Sequence, residues 1–85
     1  MKVELFLSPV CPYCPAARKV FFNVAERYPG SYFEEINTYT EAGMERGMSL
    51  QVMAVPSVAI DGVVKLVGWP FDEGDLEKAI EGSPK

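Results

Sequence analysis

There is no histidine in this 85-residue chain. That absence removes imidazole general bases, Cys-His nucleophilic pairs and most zinc sites together. Cysteine is nearly as scarce, with Cys11 and Cys14 the only two. A zinc site wants four ligands, so a metal here would need a dimer or carboxylates. Basic residues do not cluster: of eight Lys and Arg only Arg18 and Lys19 are adjacent, and the net charge is −4. That leaves no stripe for a phosphate backbone and argues against nucleic-acid binding. No apolar run approaches the roughly 20 residues that cross a bilayer, so no membrane association is expected. Internal repeats and low-complexity stretches are missing as well.

What is present is ordinary globular composition, 48% hydrophobic and 24% charged. It suits one small domain over residues 1–85 with a single core. The N-terminus carries Lys2 and Glu4 in a short mixed run with no small-residue cleavage pattern. It reads as a strand rather than a signal peptide.

Residues 2–7 (KVELFL) mix alternation with β-branched and aromatic side chains, which predicts a central strand. Ser8 and Pro9 end it. A helix is predicted over residues 12–28, with Ala17, Val20, Phe21, Val24, Ala25 and Tyr28 on one face. Pro29-Gly30 stops it. A second strand is expected at residues 32–37, then a weaker helix at 41–50. Gly43 and Gly47 lie inside that helix, each costing about 1 kcal/mol against alanine. Residues 57–60 and 63–67 read as strands joined by Asp61-Gly62, a strong hairpin signal. Gly68 ends the hairpin. A last helix is expected at residues 72–80, its acidic first turn matching the helix dipole, and residues 82–85 read as a frayed tail. The order β-α-β-α-β-β-α makes strands one and two parallel and the last two antiparallel. The fold class is α/β: a four-stranded mixed sheet flanked by helices.

The chemistry concentrates in SPVCPYCPAA. Cys11 falls where strand one meets helix one, with Pro12 at the expected first helical position. Unpaired N–H groups and the positive end of the helix dipole favour a thiolate there. Cys14 lies one turn on, placed to resolve a mixed disulfide formed on Cys11. A structural disulfide would close a loop too short to stabilise much. A Cys-x-x-Cys beside a βαβ pattern favours the redox reading. Met44, Met48 and Met53 read as core filling.

Cys11-Pro12-Tyr13-Cys14 is the dithiol signature of glutaredoxins, and Met53-Ala54-Val55-Pro56-Ser57 resembles the family's cis-proline segment. Asp61-Gly62 and Gly68 also stand where the family has them. Over most of its length the chain resembles the thioredoxin/glutaredoxin superfamily, and most closely its short archaeal members. The resemblance implies a thioredoxin fold and a thiol–disulfide oxidoreductase needing no cofactor and no metal. Cys11 would attack and Cys14 resolve. Pro12, Tyr13, Val55, Pro56, Gly68 and Trp69 would contact substrate, with Pro56 cis and the Val55 backbone pairing with an extended client. The alternative reading is that Pro56 merely starts a strand in trans. Trp69 and Phe71 are equally readable as core caps or as client contacts.

Four positions depart from the family pattern. Leu5 stands where thioredoxins bury an aspartate, and Ser8 where glutaredoxins often place a lysine. Ala54 replaces a threonine, and Trp69 replaces the second glycine of a pair. Asp72 is left as a candidate for a glutathione amine. The expectation is a cytoplasmic monomer that reduces client protein disulfides. A flavoprotein of thioredoxin-reductase type would re-reduce it, with glutathione as the alternative donor. From another class, the chain could be a non-catalytic binding module with a regulatory disulfide.

Overall fold

The structure, a computed structural model, describes residues 1–82. Residues 83–85 of the expected tail lie outside them, and Gly82 instead caps the last helix, its N–H bonding to the Lys78 carbonyl at 2.9 Å. The elements are β1 (Lys2–Leu7), α1 (Cys14–Ala25), β2 (Tyr32–Asn37), α2 (Glu41–Ser49), β3 (Ser57–Ile60), β4 (Val63–Val67) and α3 (Glu73–Glu81).

The sheet runs β2-β1-β3-β4. β1 pairs parallel with β2 and antiparallel with β3, and β3 pairs antiparallel with β4. β1 is central, as its apolar character predicts. Asp61 and Gly62 both take positive φ, the backbone that a tight hairpin between twisted strands needs.

Strand alternation divides the sheet into two unlike faces. Val3, Leu5, Val58 and Ile60 point to one side and join Phe21 and Val24 of α1 and Leu76 and Ile80 of α3 in the core. α1 and α3 are also tied by Arg27, whose guanidinium reaches both Glu73 and Glu77. The other face carries Glu4 and Phe6, both buried, and receives α2. There Gly43 and Gly47 are the buried residues of the helix. A Cβ on Gly43 would lie 1.8 Å from the Asn37 carbonyl oxygen. Gly43, which weakens α2 as an isolated helix, is what lets its backbone lie close to the end of β2.

α1 is shorter than the predicted 12–28. It begins at Cys14, with Tyr13 as N-cap and Pro15 in the first turn. Pro12 is therefore not its first residue, because residues 8–13 are spent in the turns that precede it. Cys11 N–H bonds Ser8 O at 3.2 Å and Cys14 N–H bonds Cys11 O at 3.4 Å. At the far end Arg27 and Tyr28 bond three residues back, to Val24 and Ala25, which tightens the chain out of the α-helix. α3 starts one residue later than expected, because Asp72 is its N-cap in a reciprocal capping box with Asp75.

Candidate active site

β1 delivers the chain to Ser8, two turns follow, and α1 begins at Cys14. This route leaves the two cysteines in different surroundings. Cys11 is half-buried, whereas Cys14 is 4% exposed and on the core side of the helix. Both are free thiols. Burial pushes the Cys14 thiol up to about 11, and a hydrogen bond to Cys11 and the charge there add to the rise. A backbone hydrogen bond from Ser8 works in the opposite direction. Leu5, at the position of the thioredoxin aspartate, is fully buried in the apolar core, so it supplies no carboxylate to Cys14.

The Cys11 thiol donates to the Val55 carbonyl oxygen at 3.8 Å. The Val55-Pro56 bond is cis, so the alternative of a trans strand start is set aside. Gly68, with φ of 78°, donates its N–H to the Pro56 carbonyl at 2.8 Å. Cys11, Val55, Pro56 and Gly68 thus form one connected wall. Tyr13 and Pro12 stand exposed at the turn between the cysteines. Trp69 is half-buried, packs against the core and meets Phe71 edge-on at 5.2 Å, while Phe71 itself is core. The Trp69-Pro70 bond is also cis, which no residue pattern had indicated. Asp72 already accepts from the Asp75 N–H at 2.8 Å, so its carboxylate serves the helix rather than standing free for an amine.

Open space adjoins the dithiol itself and, separately, the Val55 that meets Cys11. One cavity, of about 340 Å³, is lined by Ser8, Pro9, Cys11, Cys14 and Arg18. Arg18 adds little positive charge to it, because Glu35 pairs with its guanidinium. The other is a groove of about 250 Å³ running from Val55 past Ala54 and Met53 to Met44 and Met48 on α2. The three methionines are exposed, not core filling as the composition suggested. A signal for this existed: Gly43 and Gly47 share one helical face, so Met44 and Met48, one position on, must flank it.

Residues 1–81 match the family described as Thioredoxin domain. The thioredoxin of Methanocaldococcus jannaschii is 39% identical over 77 residues, covering 91% of this chain and 89% of that protein. The chain belongs to the thioredoxin family. A probable thioredoxin of Methanothermobacter marburgensis is 38% identical over 81 residues, covering 94% of this chain and 92% of its own. Among solved structures, thioredoxin 1 of Thermosipho africanus superposes with a TM-score of 0.75 at 21% identity, covering 95% of this chain and 91% of that one. Thioredoxin O2 of Arabidopsis thaliana gives 0.73 at 22% identity, with 94% and 71% covered. The fold is the thioredoxin fold, and the activity is thiol–disulfide exchange. Relatives carrying the thioredoxin name favour the thioredoxin side of the resemblance over glutaredoxin, despite the Cys-Pro-Tyr-Cys signature. Among the described residues no helix is long and apolar enough to cross a membrane.

Proposed function

We propose that this chain reduces disulfides of protein clients, with Cys11 attacking and Cys14 resolving. The observation that carries the reading is the asymmetry of the pair. Cys11 is half-buried beside the Val55 carbonyl, at which the open groove ends, while Cys14 is buried on the core side of α1.

In the first step the Cys11 thiolate attacks one client sulfur. A Cys11–client disulfide forms, the client S–S bond breaks, and the second client sulfur leaves as a thiolate. Cys14 then loses its proton and attacks Cys11. The mixed disulfide breaks and the reduced client departs. The Cys11–Cys14 disulfide holds the oxidation equivalent, two electrons having passed to the client. Occupation of Cys11 by client also removes the thiol that helps hold the Cys14 proton, so Cys14 becomes easier to ionise when it is needed. A thioredoxin-reductase-type flavoprotein returns two electrons, with glutathione as the lesser alternative.

Client contacts are assigned to Pro12, Tyr13, Val55, Pro56, Gly68 and Trp69. The Val55 carbonyl, released by the Cys11 thiol when Cys11 reacts, is then open to a client N–H. A monomer at work in the cytoplasm suits a free dithiol, since that compartment keeps thiols reduced. The test is a pair of variants. Cys11→Ser abolishes reduction of a protein disulfide, and Cys14→Ser accumulates a covalent client adduct visible by intact mass. Residual turnover in Cys11→Ser sinks the assignment.

A further inference from the structure

Three of the chain's four methionines sit around one groove. Met44, Met48 and Met53 line it, and they are 53%, 71% and 88% exposed. Met1, at 39%, precedes β1 at the end away from the dithiol. The placement follows from the backbone. Gly43 and Gly47 occupy the face of α2 turned to the sheet, which leaves the adjoining Met44 and Met48 at its rim. Met53 lies two residues before Val55, whose carbonyl meets Cys11. The groove therefore ends at the residue whose carbonyl meets the reacting sulfur.

Thioethers are soft and adaptable, and they fit apolar partners of varied shape. They are also oxidisable. Peroxide converts a methionine thioether into a polar, chiral sulfoxide. The O–O bond breaks, one oxygen bonds to sulfur, sulfur gives up two electrons, and the second oxygen leaves as water. Buried methionines are shielded from this. These three are not.

We propose that Met44, Met48 and Met53 form a peroxide-modifiable site that decides whether the groove accepts the apolar side chains flanking a client's disulfide. The proposal rests on the reading that a client crosses Val55 to reach Cys11. Unmodified, the groove takes those side chains. Converted to sulfoxides, it presents polar oxygens where apolar contact was made, and exchange with protein disulfides falls. Exchange with a small disulfide, which needs only Cys11, continues. A methionine sulfoxide reductase reverses the change.

The experiment treats the protein with hydrogen peroxide while Cys11–Cys14 is held as a disulfide, which shields both sulfurs. Thiol is then added to reopen the pair. Peptide mass spectrometry is expected to find sulfoxide at Met53 first, then Met48, then Met44, with Met1 the slowest. Reduction of a protein disulfide with apolar flanks is expected to fall at least about tenfold, the binding worth of roughly one buried apolar side chain. Reduction of 2-hydroxyethyl disulfide by the same sample is expected to be unchanged. Treatment with methionine sulfoxide reductase restores the protein-disulfide rate. In the triple variant Met44→Leu, Met48→Leu, Met53→Leu, treated and untreated rates agree, whatever the starting rate. Sulfoxides at all three positions with an undiminished protein-disulfide rate overturn the proposal, as does equal loss toward both substrates. Failure of the dithiol reading itself looks different: the untreated protein is already inert toward both substrates, and this inference falls with it.

Discussion

Arg46 reaches from α2 to Glu4 in the central strand and grips its carboxylate with hydrogen bonds of 2.8 and 2.9 Å. Glu4 is 1% exposed. A carboxylate so deep is tolerated only while it is paired, and removing one partner of such a pair costs far more than the pair contributes. Hydrogen bonding to Glu4 correspondingly raises the Arg46 guanidinium pKa above its ordinary value.

Arg46→Ala should therefore lose about 3 kcal/mol of stability, the lower end for a stranded buried charge, since Lys2 stays near Glu4. Replacing both residues by leucine should recover much of that. Urea unfolding followed through the single Trp69 measures it. Losses under about 1 kcal/mol for Arg46→Ala would mean the pair behaves like a surface ion pair.

Two glycines four residues apart should respond to alanine with opposite signs. At Gly47 the nearest foreign atom to an added Cβ is 3.8 Å away, ordinary contact, so Gly47→Ala should stabilise by up to about 1 kcal/mol. At Gly43 the Cβ would collide with the Asn37 backbone. Gly43→Ala should lose about 1–3 kcal/mol despite the better helix propensity. Thermal unfolding of both variants checks the pair, and a stabilising Gly43→Ala would show that α2 docks less closely than described.

The buried Cys14 thiol gives stability a pH signature. Its ordinary value is 9.0 and the fold pushes it up to about 11. Between those values the unfolded chain has released this proton while the folded chain still holds it, so rising pH favours unfolding. The contribution is fully present below pH 9 and is lost on the way to pH 11, at about 1.4 kcal/mol per pH unit. Subtracting the profile of Cys14→Ser isolates it from other groups that titrate there. A flat difference between the two profiles would place Cys14 in water.

The choice of electron donor should follow the surroundings of the dithiol rather than its signature. Ser8, Trp69 and the occupied Asp72 leave little to hold glutathione. The Cys11–Cys14 couple should equilibrate near the thioredoxin value of about −270 mV rather than near −200 mV. A flavoprotein reductase should turn it over faster than glutathione does. Alkylation after equilibration in defined thiol buffers gives the potential, and faster turnover with glutathione would reverse the assignment.

Much of this molecule was legible in its residues, because the signals were local. Alternation in KVELFL, the Asp61-Gly62 turn and the spacing of Cys11 and Cys14 each depend on neighbours in the chain, and the strands fell where they were expected. What was not legible depended on contacts across the fold. The helix start moved from Pro12 to Cys14 because the carbonyls of Ser8 and Cys11 hold the preceding turns. The methionines looked like core until the glycine face of α2 proved to be the one that docks. Glu4 gave no sign that it would be buried, since its partner lies 42 residues away.

The two faces of the sheet should also differ in how readily they open. On one side α1 and α3 interlock through phenylalanine, valine, leucine and isoleucine. On the other, α2 is seated by two glycines and an ion pair, which offers little apolar area to hold it down. Local opening draws on regions with few buried apolar contacts. In heavy water, the amide protons of α2 should exchange well before those of β1, β3 and α1. The helix that carries the groove can then shift to fit a client while the cysteines keep their place.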